Sequence, residues 1–152
     1  MPTLNKYASI IYRISQKYFD ETLLEYKIGC GQQFFLLHIY EMPGISQYDL
    51  SIVGHFDKST TARAIKKLLE LGYIKKEIDQ NDQRINHLYT TKLGNEVMQK
   101  VYTMLEEWHQ ILTKDLNKQE QNMAEELMNK LSTNAINSIK ESRRNKNGNN
   151  NK

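Results

Sequence analysis

Two helix-start signals lie close together in the middle of this chain, and they constrain its fold more than any other feature. Ser46 precedes QYDLSIVG, and Asp49 three residues later completes a pattern like a capping box. Asp57 precedes KSTTARAIKKLLEL in the same way, and Gly72 follows where a helix would end. The pattern predicts a short helix, a tight turn and a longer helix over residues 58–71.

A strand pattern follows this pair of helices directly. The runs YIKKEID and RINHLYT are typical of strands, and QNDQ between them supplies the turn-forming residues Asn and Asp. A short helix, a tight turn, a longer helix and a hairpin in this order predict a winged helix-turn-helix core. The two-stranded hairpin is the wing.

The rest of the chain is predicted to be helical, so the expected fold class is mostly α. Apolar residues recur at helical spacing on both sides of the core. The predicted flanking helices cover residues 4–28 and 32–41, a segment from Thr90 or Thr91 to about 114, and a segment from about 118 to 142. Within the winged helix, the residues expected to face the core are Leu50, Val53, Thr61, Ala62, Ile65, Leu68 and Leu69.

The composition excludes several classes of protein. No apolar run approaches the roughly 20 residues of a membrane helix, and the N-terminus lacks a signal-peptide pattern, so a cytoplasmic protein is expected. The single cysteine, Cys30, excludes an internal disulfide and fits a reducing compartment. The formal net charge is only +3, so any basic surface for a polyanion must be local.

One local basic surface lies on the longer helix of the pair. Between Lys58 and Lys67, four residues are positive and none is negative. Lys58 lies at the first turn, and the polar side of this helix carries Ser59, Thr60, Arg63, Lys66, Lys67 and Glu70. Small hydroxyl side chains allow close approach to a DNA major groove, and arginine can form two hydrogen bonds with guanine. The alternative is a solvated amphipathic helix.

The wing carries a second signal at its tip. Arg84 lies just past the predicted turn, with Asp79 and Asp82 nearby. A wing-tip arginine suits the negative potential of a DNA minor groove. Asp82 is expected to hold this arginine extended through a short hydrogen-bonded pair. The alternative is a polar turn with an incidental charge pair.

The segment ISQYDLSIVGHFDKSTTARAIKKLLELGYIKKEIDQNDQR resembles the core of the MarR family of bacterial winged-helix regulators. The resemblance lies in the Asp-Lys-Ser-Thr opening of the longer helix, the Leu-x-x-x-Gly-Tyr-Ile exit and the Asp-x-x-Asp-x-Arg wing. The segment TTKLGNEV is similar to the start of the family's long fifth helix. The resemblance covers residues 4–142 and is strongest over 45–96. This sequence departs from the family pattern at Thr61, Ala62, Leu69 and Leu71.

The resemblance implies a homodimeric regulator, expected to be a repressor, that binds double-stranded DNA at a short palindrome. Each subunit would place the longer helix in a major groove and its wing in the flanking minor groove. The DNA-binding residues expected on this basis are Ser46, Lys58, Ser59, Thr60, Arg63, Lys66, Lys67, Asp82 and Arg84. The expected domains are 1–31 as an N-terminal dimerisation helix, 32–91 as the DNA-binding domain, 92–142 as C-terminal dimerisation helices and 143–152 as a disordered tail.

Ligand, redox and metal sites have weaker signals. Many members of the family release DNA when a small aromatic acid binds, and the residues that could line such a pocket here are Tyr7, Ile11, Phe34, His38 and Tyr40; plain core is the alternative. Some relatives sense oxidants through a cysteine in the first helix, whereas Cys30 lies in a Gly-Cys-Gly break, where inert packing is the alternative. The histidines form no close pair, so no metal site is predicted, and His38 and His87 are expected to be partly buried and hydrogen-bonded.

The sequence contains no pattern for catalysis. It has no glycine-rich phosphate loop and no supported Ser-His-Asp set, so we predict a binding protein that is not an enzyme and needs no cofactor. The leading hypothesis is a DNA-binding transcriptional regulator, and a second is a form of it that responds to a ligand or to oxidation. The alternative is a winged-helix module that binds protein and does not read DNA sequence.

Overall fold

The structure is a computed structural model that describes residues 3–149, with the side chains of residues 3–140. Its elements are α1 (Leu4–Thr22), α2 (Cys30–Glu41), β1 (Ile45–Ser46), α3 (Gln47–Gly54), α4 (Lys58–Glu70), β2 (Ile74–Ile78), β3 (Asn86–Thr90), α5 (Lys92–Thr113) and α6 (Lys118–Asn149). A short 3₁₀ turn, Leu24–Tyr26, lies between α1 and α2. This order confirms the predicted mostly-α winged helix.

The chain divides into two compact units, and the division falls within α5. The first unit ends at Trp108 and contains α1, the winged helix and most of α5; the second begins at His109 and contains the end of α5 with α6. The last helix, predicted to end at 142, continues to Asn149, so helical backbone extends into the segment predicted as a disordered tail. Residues 150–152 of that segment lie outside the described residues. Within the described chain, no helix is both long and apolar enough to cross a membrane.

The predicted helix starts of the winged helix are confirmed. The Ser46 hydroxyl oxygen accepts a hydrogen bond from the Asp49 N–H at 3.0 Å and donates one to the Asp49 carboxylate at 2.7 Å. The Asp57 carboxylate accepts a hydrogen bond from the Thr60 N–H at 2.8 Å. After α4 the chain turns at Gly72, whose φ of +73° lies in the left-handed region that favours glycine.

The core of the first unit forms around α2, where the winged helix meets α5. Its buried side chains are Phe35, Leu36 and Ile39 of α2, Leu50 of α3, Ala64, Ile65 and Leu68 of α4, Ile74 of β2, Leu88 of β3, and Val97, Met98, Val101 and Met104 of α5. At the start of α5, Gly94 approaches the hairpin so closely that a Cβ atom there would overlap the carbonyl oxygen of Tyr73. The core therefore holds the wing and the helix-turn-helix unit in one body.

Two residues predicted to face this core are exposed instead. Val53 is 42% exposed, because α3 turns Leu50 and Ser51 toward the core and ends before its next turn could bury another side chain. Ala62 is exposed, whereas Ala64 is buried, because the contacts of α4 with α2 and α3 select a different stripe. That stripe consists of Thr61, Ala64, Ile65 and Leu68.

The first helix is shorter than predicted. The helix expected over residues 4–28 ends at Thr22, and Lys27 then adopts a left-handed backbone with φ of +57° that no α-helix can continue. This turn lets the chain fold back, so that the Asp20 carboxylate accepts a hydrogen bond from the Cys30 N–H at 2.7 Å. The start of α2 therefore lies beside the end of α1.

The sheet has three strands, one more than the predicted hairpin. The strand order is β1-β3-β2, and both pairs are antiparallel. In the added pair, Ile45 lies opposite Leu88 and Ser46 lies opposite His87. A strand of two residues has no periodicity to detect, so only the folded chain shows it. This pairing joins the wing to the segment that begins α3.

Candidate nucleic-acid interface

The outer face of α4 carries most of the residues predicted to contact DNA. The side chains of Ser59, Arg63, Lys66 and Lys67 are exposed. The Lys66 ammonium lies 3.9 Å from the Glu70 carboxylate one turn later, and an exposed pair at this distance is weak. The cations of this face are therefore accessible to a polyanion.

Thr60 lies on the same face, but its hydroxyl belongs to the helix cap. The hydroxyl donates a hydrogen bond to the Asp57 carboxylate at 2.8 Å, beside the backbone N–H of the same threonine. These two hydrogen bonds, the backbone one first, lower the pKa of the Asp57 carboxyl. The Thr60 hydroxyl can still accept a hydrogen bond, while its proton is engaged. Buried Thr61 is also satisfied, because its hydroxyl donates to the Asp57 carbonyl oxygen at 2.9 Å.

Hydrogen bonds within the loop brace the wing tip. The Asp79 N–H donates to the Ile85 carbonyl oxygen at 2.9 Å, and the Ile85 N–H donates to the Asp82 carbonyl oxygen at 2.9 Å. One Asp79 carboxylate oxygen accepts the N–H groups of Asn81 at 2.8 Å and Asp82 at 2.9 Å. An aspartate that binds the backbone two and three residues on is a common way to close such a turn.

The expected pair of Asp82 and Arg84 is present at this tip. The guanidinium of Arg84 donates to both carboxylate oxygens of Asp82, from Nε at 3.0 Å and from Nη2 at 3.1 Å. The Arg84 side chain, followed by its backbone N–H, lowers the pKa of the Asp82 carboxyl. The Arg84 side chain remains 90% exposed, so the cation is oriented and still open to a further contact.

His87 connects the wing to the segment before α3. Its Nδ1 lies 2.8 Å from the Gly44 carbonyl oxygen, and its Nε2 lies 2.8 Å from the second carboxylate oxygen of Asp79. The Asp79 hydrogen bond, followed by the Gly44 carbonyl, raises the pKa of His87, and His87 is the largest cause that lowers the pKa of Asp79 to about 2. The prediction that His87 is partly buried and hydrogen-bonded is confirmed. The same prediction holds for His38, whose Nδ1 lies 2.9 Å from the Phe34 carbonyl oxygen.

A cleft of about 760 Å³ lies between the wing and the first turns of α3 and α4. Of the residues predicted to contact DNA, Ser46, Lys58 and Arg84 line it. Gln47, Tyr48 and Asn86 line it too and are not among the predicted contacts. For Gln47 and Tyr48, the sequence feature that indicates a DNA contact is their position in the first turn of a capped helix, where a phosphate backbone can be contacted.

The structure does not gather the five residues considered for a ligand pocket. In the described chain, the rings of Phe34 and His38 lie 4.0 Å apart on α2, whereas Tyr40 contacts Tyr102 of α5 at 6.0 Å between ring centroids. The two residues on α1 are exposed. None of the five lines the cleft beside the wing.

The surroundings of Cys30 oppose the chemistry of a redox sensor. The thiol is half-buried at the start of α2, and burial, followed by the Asp20 carboxylate, raises its pKa. A reactive cysteine needs the opposite shift, because the thiolate is the nucleophile. Among the residues that the structure describes, no three His, Cys, Asp or Glu side chains form a group that could hold a metal ion.

The elements that build this surface match a known family. The MarR family model matches residues 31–85, from α2 to the wing tip. The HTH-type transcriptional regulator BilQ of Clostridioides difficile is 31% identical over 100 residues, which are 66% of this chain and 68% of the relative. The chain belongs to the MarR family. This MarR-family chain is therefore a DNA-binding transcriptional regulator and not an enzyme.

Solved structures of MarR-family proteins share this fold. A MarR transcriptional regulator from Methanosarcina mazei is 33% identical, with a TM-score of 0.79 over 90% of this chain and 96% of that chain. A MarR family regulator from Listeria monocytogenes, solved in complex with a 26mer DNA, is 25% identical, with a TM-score of 0.85 over 91% of this chain and 92% of that chain. The winged helix described above is thus the fold of a regulator whose structure contains DNA.

Proposed function

We propose that this MarR-family protein is a homodimeric repressor that binds a short palindromic duplex. The observation that carries the proposal is that cations from two elements border one surface. Lys58 at the start of α4 and Arg84 at the wing tip line the same cleft, and Arg63 is exposed five residues further along α4. A helix and a wing that present cations side by side suit a major groove and its neighbouring minor groove.

Each predicted contact has a role that follows from its chemistry. Arg63 is the residue for base-edge recognition, because a guanidinium can form two hydrogen bonds with guanine. Lys66 and Lys67 are point charges for phosphates, which carry most of the non-specific affinity. Arg84 enters the minor groove, where Asp82 orients it. The remaining contacts of the proposed interface are Ser46, Lys58, Ser59 and Thr60, at the two helix starts.

The test is selection of bound duplexes from a random library, followed by affinity measurements on the selected duplex. We expect Arg63→Ala to weaken binding by about 1–3 kcal/mol and to relax the preference at one base pair. Lys66→Ala should weaken binding to all sequences and lower the salt dependence by about one phosphate contact. Lys17→Ala on α1 removes an exposed cation outside the proposed DNA contacts. It should leave affinity unchanged, provided that the variant sediments as the wild type does.

Enrichment of no sequence at moderate salt would contradict the proposal. In that case the alternative of a protein-binding winged helix makes its own prediction, namely that neither Arg63→Ala nor Arg84→Ala affects function. Repression is tested separately, by transcription from a promoter that contains the selected site. A repressor lowers the transcript level in proportion to occupancy of that site.

The dimer is proposed from apolar side chains that the single chain leaves exposed. On α1 they include Leu4, Tyr7, Ile10, Ile11 and Ile14, which recur at helical spacing. On α6 they are Met123, Leu127, Met128, Leu131 and Ile139. Contiguous exposed apolar residues mark protein interfaces. We therefore propose that residues 1–31 and 92–142 form the dimerisation region and that residues 32–91 bind DNA, as the resemblance implies.

Sedimentation of the full chain tests the dimer. Ile11→Asp places a charge in the apolar stripe of α1 and should shift the protein toward monomer, because an unpaired charge is costly to bury. Asn5→Asp adds the same charge to the opposite side of this helix and serves as the control. A monomeric wild-type protein at micromolar concentration would contradict the proposed dimer.

Release by a small aromatic compound is the last part of the proposal, and it can be tested without knowledge of the binding site. A compound that binds the folded protein raises its melting temperature, and one that acts as an effector also lowers affinity for the selected duplex. Aromatic carboxylates are the first compounds to test. A flat response in both assays would contradict this part and leave the DNA-binding proposal intact.

A further inference from the structure

His87 lies at the junction of all three strands. In the register of the sheet it faces Ser46 of β1 on one side and Glu77 of β2 on the other. Its two ring nitrogens contact the Gly44 carbonyl oxygen and an Asp79 carboxylate oxygen, each at 2.8 Å. Both of these partners can only accept a hydrogen bond, because the pKa of Asp79 is about 2. A neutral imidazole has a single N–H, so both contacts are hydrogen bonds only when the ring is protonated on both nitrogens.

A continuous set of hydrogen bonds leads from this ring to the wing tip. Gly44 stands just before β1, and its N–H donates to the Leu88 carbonyl oxygen at 2.8 Å, so the backbone there is held on both sides. The Asp79 carboxylate that contacts the ring also accepts the backbone N–H of Asp82 at 2.9 Å. The Asp82 carboxylate in turn holds the Arg84 guanidinium. The ring is thus the only side chain in this set that joins the segment before α3 to the wing loop.

We propose that His87, protonated on both nitrogens, is a positioning residue that holds the Arg84 guanidinium in place for DNA, so that DNA affinity falls when the ring loses a proton. The inference rests on the proposed DNA contact of Arg84. Loss of a proton turns one of the two contacts into a repulsion between lone pairs. The ring then releases either the Gly44 carbonyl or Asp79. The loop that carries Asp82 and Arg84 loses its side-chain link to the segment before α3, while the backbone pairing of β1 with β3 stays in place.

The charged groups around the ring favour its protonated form. Asp79 is in direct contact, and Glu77 lies opposite in β2, where it also pairs with Lys75 at 2.7 Å. Among the other residues that line the cleft with His87, Asp49 is negative, and two are positive, namely Lys58 and Arg84. The Asp79 hydrogen bond and the Gly44 carbonyl outweigh partial burial, so the pKa of His87 lies above its ordinary value of 6.5.

Because the pKa of His87 is raised, the sign of the pH dependence of DNA affinity can be stated. A histidine whose pKa is raised by folding contributes its full stabilisation below its ordinary pKa and loses it as pH rises through the raised value. DNA affinity should therefore be greatest near pH 6 and decline on the alkaline side. If only the protonated form holds the wing, the decline reaches about tenfold per pH unit above the pKa of His87.

The first test needs no DNA. Nitrogen NMR of the ¹⁵N-labelled full chain reports the protonation of each histidine ring. We expect the His87 ring to titrate above 6.5, the ordinary pKa of histidine, and the amide signals of Asp82 and Arg84 to shift with the same titration. In Asp79→Asn the side-chain amide can donate to a neutral ring, so the His87 titration should move to lower pH. A wild-type His87 that titrates at or below its ordinary pKa of 6.5 would overturn the inference.

The second test measures affinity for the selected duplex from pH 6 to pH 9 at constant ionic strength. His87→Gln, which does not titrate, should flatten the profile and give weak binding throughout. His55→Asn is the matched control, because it removes an exposed histidine from the same domain and asparagine accepts the left-handed backbone found there, with φ of +54°. An unchanged profile in His87→Gln would overturn the inference.

An Arg84→Ala background separates positioning from a direct contact of the ring with DNA. If His87 acts through Arg84, the part of the pH dependence that depends on His87 disappears in this background. Its persistence would show that the imidazolium binds DNA itself and would overturn the positioning role. If no duplex is selected at all, the proposed function fails, while the NMR titration still decides whether the ring holds the wing loop.

Discussion

The guanidinium of Arg84 and the carboxylate of Asp82 face each other at the wing tip and share two hydrogen bonds, at 3.0 and 3.1 Å. The Arg84 backbone N–H donates a third hydrogen bond to the same carboxylate at 3.0 Å. These bonds restrict an arginine whose side chain is otherwise exposed. An ordered cation loses less conformational freedom when it binds a phosphate or a base edge, and it therefore binds more tightly.

We predict that Arg84→Lys weakens binding to the selected duplex about tenfold, although the charge is kept, because an ammonium cannot form the two-point contact with Asp82. Asp82→Asn should cause a smaller loss, since the amide oxygen still accepts one hydrogen bond from Arg84. Gln83→Ala, between the two, is the control. Fluorescence anisotropy at constant salt measures all three, and equal affinity of Arg84→Lys and wild type would show that the orientation of Arg84 has no role.

The second prediction concerns the cap of α4 at Asp57. Asp57→Ala should lower the melting temperature at pH 7, because the N–H and hydroxyl of Thr60 lose their acceptor. Asp57→Ser keeps a capping oxygen and should retain most of the stability. The folded protein lowers the pKa of Asp57, so its contribution is present above the ordinary value of 3.8 and is lost as pH falls through the lowered one. The difference in melting temperature between wild type and Asp57→Ala should therefore be smaller at pH 3 than at pH 7, as measured by thermal melts.

The third prediction compares a glycine with no room for a side chain, Gly94, and a glycine with open space around it, Gly31. Gly94→Ala should destabilise the fold by about 1–3 kcal/mol or more, because the new methyl group would overlap the Tyr73 carbonyl and push α5 away from the hairpin. Gly31→Ala in α2 has no atom within 4 Å of the new methyl group, and alanine favours a helix by about 0.5–1 kcal/mol. Urea denaturation of both variants measures the difference. Similar stability of the two variants would contradict the close approach of α5 to Tyr73.

The fourth prediction concerns the reactivity of Cys30. We expect the thiol to react with a disulfide reagent more slowly than a free cysteine at pH 7.5, because burial and then the Asp20 carboxylate raise its pKa. Asp20→Asn should speed the reaction, since it removes the negative charge and still accepts the hydrogen bond from the Cys30 N–H. Stopped-flow thiol titration gives both rates. Reaction of the wild-type thiol at or above the rate of free cysteine would contradict the raised pKa and favour the hypothesis of oxidant sensing at Cys30.

Much of the winged helix could be predicted because its signals are local. The caps at Ser46 and Asp57 bind backbone groups three residues further on, and Gly72 adopts the left-handed backbone that its position requires. The hairpin follows from two strand-like runs and a polar turn. The pair of Asp82 and Arg84 spans two residues, so the sequence alone predicts it.

The predictions that the structure contradicts fail for a common physical reason. Helical periodicity predicts that Val53 and Ala62 face the core, because it gives the spacing of an apolar stripe but not its rotation toward neighbouring helices. The pattern on α1 continues past Thr22, yet packing turns the chain there. The five residues considered for a ligand pocket share helical spacing with ordinary core, and their role stays a prediction.

By itself, the sequence determined the order of elements, the helix caps, the hairpin and the cationic face of α4, since each depends on interactions between residues a few positions apart. Only the tertiary structure decided that β1 joins the wing and that His87 bonds to Gly44, which is 43 residues away along the chain. Such contacts form when α2, α3 and α5 bury their apolar faces together and so bring distant backbone into register. The packing of the core therefore sets the position of the wing, and the sequence of the wing sets which side chains are available to contact DNA.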